Sequence, residues 1–205
     1  MWRRFDKICA GEFVQMSITY EKIQPTSWTV ELNTLLYAIY AELTVPAMYY
    51  PGFNDWFNKV VLELTAGRRS FILAKSQNKI AGISILKHYK EENKLCTFWV
   101  NPEFRRRHIA SELLTRSLNS FEGKEPIITI PESRMGEFDF LIKRRNFVYR
   151  EVNYGLYHEN MKEYFFTVPY QPSVSQGFSI GKMLNWRSFV VPSLISHRAR
   201  PLAWV

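Results

Sequence analysis

The sequence predicts one mixed α/β domain, and three observations carry that prediction. The chain has 205 residues, which suits a single domain of ordinary size. Hydrophobic residues make up 46% and charged residues 22%, as in typical folded proteins. Apolar residues recur at strand or helix spacing in the order β-α-α-β-β-β-α-β-α-β-β, which combines hairpins with strand–helix–strand crossovers.

Residues 17–168 hold all of these elements and form the predicted domain. Residues 1–16 are interpreted as an N-terminal extension, and residues 169–205, with four prolines, as an irregular tail. The longest uncharged run, residues 164–181, carries prolines and glutamines and does not predict a membrane span. With two cysteines and no signal-peptide pattern, we expect a cytoplasmic protein without a disulfide scaffold or a zinc site.

The first half of the domain is predicted to hold three strands and two helices. The first strand covers 17–24, and a helix over 28–43 follows, stopped by Pro46. A second helix is capped by Asn54 and ended by Gly67. The strands 70–74 and 80–86 then form a hairpin around Gln77-Asn78. The second half adds a central strand at 95–100, apolar on both faces and therefore expected to be buried. It continues with a helix over 102–121, a strand over 127–130, a helix over 134–145, and closing strands over 147–154 and 156–168.

The strand that ends at Val100 leads into three consecutive arginines and then into a strong helix. Lys and Arg outnumber Asp and Glu by 27 to 19, so the whole surface attracts anions. Unpaired N–H groups at a helix N-terminus bind phosphate, and the small Ala110 allows a close approach. The residues alone leave two interpretations open: a polyphosphate site, or a solvated basic helix start.

This stretch resembles the acyl-CoA-binding motif of the GNAT acyltransferase superfamily, Arg/Gln-x-x-Gly-x-Gly/Ala after a strand ending Val-x-Pro. Arg105 matches the leading residue and Ala110 the last, while His108 occupies the first glycine position. The resemblance covers residues 18–168, and several segments, such as 82–86 and 162–166, are similar to one bacterial GNAT subgroup. It implies a central mixed, mostly antiparallel sheet with helices on both faces and a splayed strand pair at the CoA site.

The resemblance also implies acetyl-CoA as cosubstrate, with no metal. Backbone N–H groups of residues 106–111 would hold the CoA pyrophosphate, and the strand at 98–100 would pair with the pantetheine arm. The candidate cofactor-binding residues are therefore Phe98, Trp99, Val100, Arg105, Arg106, Arg107, His108, Ile109, Ala110 and Ser111. A histidine at position 108 places a Cβ near the phosphates, where it either crowds the cofactor or donates a hydrogen bond to it.

Acyl transfer to an amine needs a base and often an acid for the leaving thiolate. Many GNAT proteins carry a tyrosine as the acid where this chain has Ile142, so another group or water must serve, or the thiolate leaves unprotonated. Glu132, just past the strand ending at Ile130, is the candidate base. The alternative is that Glu132 and Ser133 only start the next helix, with Ser133 as its N-cap.

Three functions follow from these residues. The first is an acyl-CoA-dependent N-acyltransferase that moves acetyl to a primary amine by direct attack, the acceptor being a small molecule, a protein or RNA. The second is a catalytically degenerate GNAT fold that binds a partner, suggested by His108, Ile142 and the tail. The third is an acetyltransferase directed at tRNA. The sequence predicts no membrane partner and leaves open whether the chain forms a homodimer.

Overall fold

The computed structural model of the chain describes residues 17–44 and 50–169. The elements are β1 (Thr19–Ile23), α1 (Val30–Leu43), α2 (Phe53–Leu64), β2 (Arg69–Ser76), β3 (Lys79–His88), β4 (Asn93–Val100), α3 (Ile109–Asn119), β5 (Ile127–Pro131), α4 (Met135–Arg144), β6 (Val148–Tyr154) and β7 (Lys162–Thr167). Their order is the predicted one. The extension at 1–16, Pro46 and the tail beyond residue 169 lie outside the described residues.

The strands form one seven-stranded sheet in the order β1-β2-β3-β4-β5-β7-β6. Five of the neighbouring pairs are antiparallel, and only β4 and β5 run parallel. A parallel pair needs a crossover, which α3 supplies. The predicted mixed, mostly antiparallel sheet is confirmed.

Helices cover both faces of the sheet, as predicted. One face packs against α1 and α2 through a core that includes Leu36, Val60 and Trp99. The other packs against α3 and α4 through a core that includes Leu114 and Phe138. Side chains alternate between the faces along each strand, so neighbouring residues enter different cores. Among the described residues, no helix has the length and apolar character needed to cross a bilayer.

Three predicted boundaries are wrong, and a left-handed backbone accounts for each. The helix expected from residue 102 begins at Ile109, because Arg106 and His108 have φ of 63° and 60° and interrupt the helical path. The N-cap of α2 is Gly52, at φ 77°, rather than Asn54. The last strand starts at Lys162, because the chain turns at Gly155, φ 69°, after β6 ends.

A buried ion pair ties the end of α2 to the sheet. Arg69 is fully buried, and its Nε lies 2.7 Å from Oε2 of Glu63. The Tyr89 hydroxyl donates a hydrogen bond to Glu63, and Nη1 of Arg69 lies 3.1 Å from Sγ of Cys96 on β4. Burial raises the pKa of Glu63, but the hydrogen bonds from Tyr89 and Arg69 outweigh it and hold that pKa below its usual range.

Replacing Glu63 with alanine is expected to lower the free energy of unfolding by about 3–5 kcal/mol, because it leaves the Arg69 charge buried without a negative charge beside it. Asp139→Ala, which breaks the exposed pair with Lys143, is the matched control and is expected to change stability by less than about 0.5 kcal/mol. Urea denaturation of both variants measures the difference. Equal losses would contradict a structural role for the buried pair.

Candidate active site

The parallel strands β4 and β5 pair over only two residues and then separate. β4 pairs with β3 along its whole length, from Asn93 to Val100. It pairs with β5 only at Lys94 and Leu95. The gap that opens beyond Leu95, between the rest of β4 and β5, is called the splay below. The predicted splayed strand pair is therefore present, and it explains why much of β4 is only partly buried instead of fully buried as expected.

Two residues of β4 turn their backbone polar groups into the splay. The Asn101 N–H donates to the Ala81 carbonyl at 3.0 Å, which fixes the pattern of the ladder with β3. Because hydrogen-bonded positions alternate in an antiparallel ladder, Trp99 also faces β3. Phe98 and Val100 consequently direct their N–H and C=O groups away from β3, toward the splay. The Trp99 side chain, 8% exposed, lies in the core under α1 and α2.

The segment between β4 and α3 is anchored at both ends. Oδ1 of Asn101 accepts a hydrogen bond from the Glu103 N–H at 3.0 Å and caps the 3₁₀ turn Pro102–Phe104. The buried side chains of Phe104 and Ile109 pack together beneath the segment. The guanidinium of Arg107 lies 5.6 Å from the ring centre of Phe104. This leaves residues 105–108, called the arginine turn, exposed above a fixed base.

The arginine turn has a backbone suited to an anion. Arg106 and His108 both lie in the left-handed region, and His108 is the N-cap of α3. Within the described part of the chain, the backbone N–H groups of residues 106–111 donate to no other backbone group. Successive N–H groups in such a turn form an anion-binding concavity. His108 thus keeps, at φ 60°, the backbone conformation for which glycine is usually selected.

Gly82 on β3 allows α3 to approach the sheet closely. A Cβ on Gly82 would lie 3.2 Å from the Trp99 carbonyl oxygen and 3.3 Å from side-chain atoms of Ile109 and Leu113. These contacts are tight, so a larger residue at position 82 would push the first turn of α3 outward. The position of Ala110 and Ser111 beside the splay therefore depends on a glycine two strands away from β5.

We expect His108→Gly to retain or raise the free energy of unfolding, by up to about 1 kcal/mol, because glycine adopts this φ without strain. His108→Val is expected to lower it by about 1–2 kcal/mol, since a β-branched residue strongly disfavours the left-handed region. Arg107→Val, at a position without a positive φ, is the control. Urea denaturation measures the free energy of unfolding of each variant. A His108→Val variant more stable than His108→Gly would contradict the positive φ at position 108.

The first turns of α4 form the opposite wall of the splay. The ring of Phe138 lies 6.1 Å from that of Phe98 on β4. Arg134 donates two hydrogen bonds to Glu137 and, with a smaller contribution from Arg105 of the arginine turn, lowers the pKa of Glu137. Arg105 is therefore within electrostatic reach of α4, and the positive charge extends across the splay.

Glu132, the base predicted from sequence, lies in the 3₁₀ turn after β5 and is exposed. Its Oε1 lies 3.0 Å from Lys162 Nζ and accepts a hydrogen bond from the Tyr164 hydroxyl at 3.3 Å. The contact with Lys162 is the main reason why the pKa of Glu132 is lowered. The alternative role of Ser133 as an N-cap is wrong, since α4 has no side-chain cap and Ser133 points toward Met161.

A second carboxylate, Glu163 on β7, lies in a very different environment, and no motif in the sequence pointed to it. Glu163 is 1% exposed, and its buried Oε2 has no hydrogen-bond partner. Burial raises its pKa to about 7, although the positive charges of Lys94 and Arg134 act in the opposite direction. Sequence gave no signal, because Glu163 follows Lys162 in what looks like an ordinary amphipathic strand.

Two tyrosines complete the surroundings of Glu163. The rings of Tyr50 and Tyr157 meet edge to face, 5.5 Å apart, and the Lys94 ammonium donates to the Tyr157 hydroxyl at 2.8 Å. Burial, followed by the charge of Glu163, raises the pKa of Tyr50. Tyr50, Lys94, Tyr157 and Glu163 are called the Glu163 cluster below. Tyr149 and Tyr154, by contrast, lie exposed on the edge strand β6.

Substituting Glu163 with glutamine is expected to change how stability depends on pH. The pKa of the Glu163 carboxyl group is about 7 in the folded state and 4.5 ordinarily. The folded state therefore binds this proton more tightly than the unfolded state does. The contribution of this carboxyl group to stability therefore falls as the pH rises between these values. Urea melts should show Glu163→Gln gaining stability relative to wild type from about pH 5 to about pH 8. An unchanged difference would contradict the raised pKa.

Within residues 17–44 and 50–169, no three His, Cys, Asp or Glu side chains come together in a way that could hold a metal ion. The positive charge beside the splay belongs instead to arginine and lysine side chains, which bind anions. The arrangement joins an exposed anion-binding turn, a strand with free backbone groups and a buried carboxylate.

Comparison with known proteins agrees with this architecture. Residues 29–126 match the acetyltransferase (GNAT) family. A putative GNAT acetyltransferase from Desulfovibrio desulfuricans superimposes with a TM-score of 0.57 at 13% identity, covering 75% of this chain and 99% of its own. The ribosomal-protein-S18-alanine N-acetyltransferase from Escherichia coli gives 0.57 at 15%, with 79% and 100% covered.

A GNAT acetyltransferase from Elizabethkingia anophelis, solved with acetyl-CoA bound, gives a TM-score of 0.55 at 15% identity, covering 75% of this chain and 98% of its own. At sequence identities this low, the similarity to these three structures shows a shared fold and nothing more. No curated protein matches the chain in sequence.

Proposed function

The chain belongs to the acetyltransferase (GNAT) family, and from that premise we propose that it transfers an acetyl group from acetyl-CoA to a primary amine. The observation that carries the proposal is the combination of the splay with the arginine turn at its open end. A strand with free backbone groups and a turn of free N–H groups are adjacent there. Together they suit a ligand with an anionic end and a long amide-containing arm.

The CoA pyrophosphate would bind over the arginine turn. Arg105, Arg106 and Arg107 are exposed and supply positive charge, and the N-terminus of α3 adds its own partial positive charge. Ala110 and Ser111, in the first turn of α3, are only partly buried, so their backbone N–H groups are accessible. Since His108 already has the glycine-type backbone, its side chain is the only departure from the motif there.

The pantetheine arm would lie in the splay beside Phe98 and Val100. Their N–H and C=O groups face that gap, and an amide-containing arm would satisfy them as a neighbouring strand would. This arrangement directs the thioester from the arginine turn back toward Leu95, where β4 and β5 meet. Trp99 would contribute by packing beneath the strand.

The reaction would be a direct acyl transfer. The neutral amine attacks the thioester carbonyl, a C–N bond forms, the C–S bond breaks and the CoA thiolate leaves. Ile142 packs against the α3 and α4 core and supplies no acid, so the thiolate leaves either unprotonated or with a proton from water or from the attacking amine. The role of Glu132 as base stays a prediction, and its pairing with Lys162 argues against it because a lowered pKa weakens a base.

Calorimetric titration with acetyl-CoA tests the cosubstrate site. Arg105→Ala is expected to weaken binding by about tenfold or more, because one charge-assisted hydrogen bond to phosphate contributes roughly 1.5–3 kcal/mol. Arg144→Ala is the matched control: it removes the same charge from an exposed position on α4, beside Phe140. Its Kd should stay within about twofold of wild type.

Three outcomes decide the proposal. Binding that weakens in Arg105→Ala and not in Arg144→Ala supports the arginine turn as the CoA site. Equal weakening in both variants would indicate a nonspecific charge effect and contradict it. No binding by wild type, with binding recovered in His108→Gly, would instead support the degenerate, partner-binding function.

A further inference from the structure

We propose that Glu163 is the base that takes the proton from the ammonium group of the acceptor amine; this assignment rests on the proposed acyl transfer. The described part of the molecule holds two buried carboxylates, Glu63 and Glu163, and they differ in their hydrogen-bond partners. Glu63 has Arg69 and Tyr89 as partners and serves the fold. Glu163 is equally buried, yet its Oε2 has no hydrogen-bond partner. A buried carboxylate oxygen without a hydrogen bond is unfavourable for folding, so its presence needs another reason.

The position of Glu163 supplies that reason. It pairs with Pro131, the last residue of β5, at the end of β5 that has separated from β4. Tyr164 and Phe166 point into the α3 and α4 core, so the side chain of Glu163 points to the opposite face, under α1 and α2. Lys94, on the same face where β4 and β5 part, contributes to the charge around Glu163. The carboxylate therefore lies across β5 from the open part of the splay, beside the path of the pantetheine arm between the arginine turn and Leu95.

The chemistry needs a base at that place. An alkylammonium ion carries no lone pair, so it gives one proton to the Glu163 carboxylate before the nitrogen can attack. After attack, the nitrogen loses a second proton to the departing CoA thiolate, which leaves as the thiol. The protonated Glu163 then returns its proton to water. Atoms and charge balance without another reactant.

The groups facing Glu163 come from four elements. They are Lys94 on β4, Arg134 in the turn before α4, Tyr50 before α2 and Tyr157 between β6 and β7. The two cations lower the pKa of Glu163, but burial dominates and sets it at about 7. A base with that pKa is half ionised at neutral pH and strong enough to accept a proton. Glu132, exposed and paired with Lys162, is the weaker base of the two.

Steady-state acetyl transfer from acetyl-CoA to two probe amines tests the assignment. Tyramine is an ammonium ion at neutral pH and needs a base, whereas hydroxylamine is already neutral there and does not. Glu163→Gln is expected to lower kcat/KM for tyramine about 100-fold or more and to leave the hydroxylamine rate within about threefold. The rise of kcat/KM for tyramine with pH, centred near 7 in wild type, should be lost, and Glu163→Asp should restore part of the rate.

Glu151→Gln, on the exposed edge strand β6, is the matched control and should match wild type with both amines. A loss confined to Glu132→Gln, with Glu163→Gln retaining rate and pH profile, would overturn the assignment. Equal losses for tyramine and hydroxylamine in Glu163→Gln would overturn it too, since they indicate structural damage. If the wild-type protein binds acetyl-CoA but acetylates neither amine, the assignment of Glu163 as the base fails together with amine transfer. If the wild-type protein does not bind acetyl-CoA, the proposed function itself fails.

Discussion

The separation of β4 from β5 is the constraint on which the rest of the site depends. A strand in the middle of a seven-stranded sheet normally has both edges paired, and β4 keeps one edge almost free. Buried backbone groups without partners are unfavourable, so a ligand or water must satisfy those that face the gap, and α3 and α4 line its two sides. Gly82 lets α3 approach from one side, and Phe138 meets Phe98 on the other.

Charge is distributed unevenly around this gap. The arginine turn at the open end is exposed, where long basic side chains remain hydrated while they attract an anion. Glu163, across β5 from the gap, is buried, so desolvation dominates over its neighbouring cations and raises the pKa of the carboxyl group. The same fold thus favours a strongly charged ligand at the open end of the gap and a proton acceptor beside the gap, across β5.

Local sequence was sufficient where local forces decide the structure. The order of strands and helices follows from apolar periodicity, and the arginine turn follows from a strand that ends at Val100 before a strong helix. Local sequence was insufficient at helix starts, because the residue types at Arg106 and His108 do not reveal the positive φ that both adopt above the buried Phe104 and Ile109. An α-helix beginning at residue 102 was the wrong expectation for that reason.

The sequence by itself determined the fold class, the GNAT resemblance and the residues that form the arginine turn. Only the tertiary structure decided which carboxylate could act as a base. Glu132 was selected because it follows β5 along the chain, but its pKa depends on Lys162, thirty residues later. Glu163 became a candidate because β7, β4 and the segment before α2 meet around it. Burial and through-space charge depend on such long-range contacts, and a pattern read along the chain does not contain them.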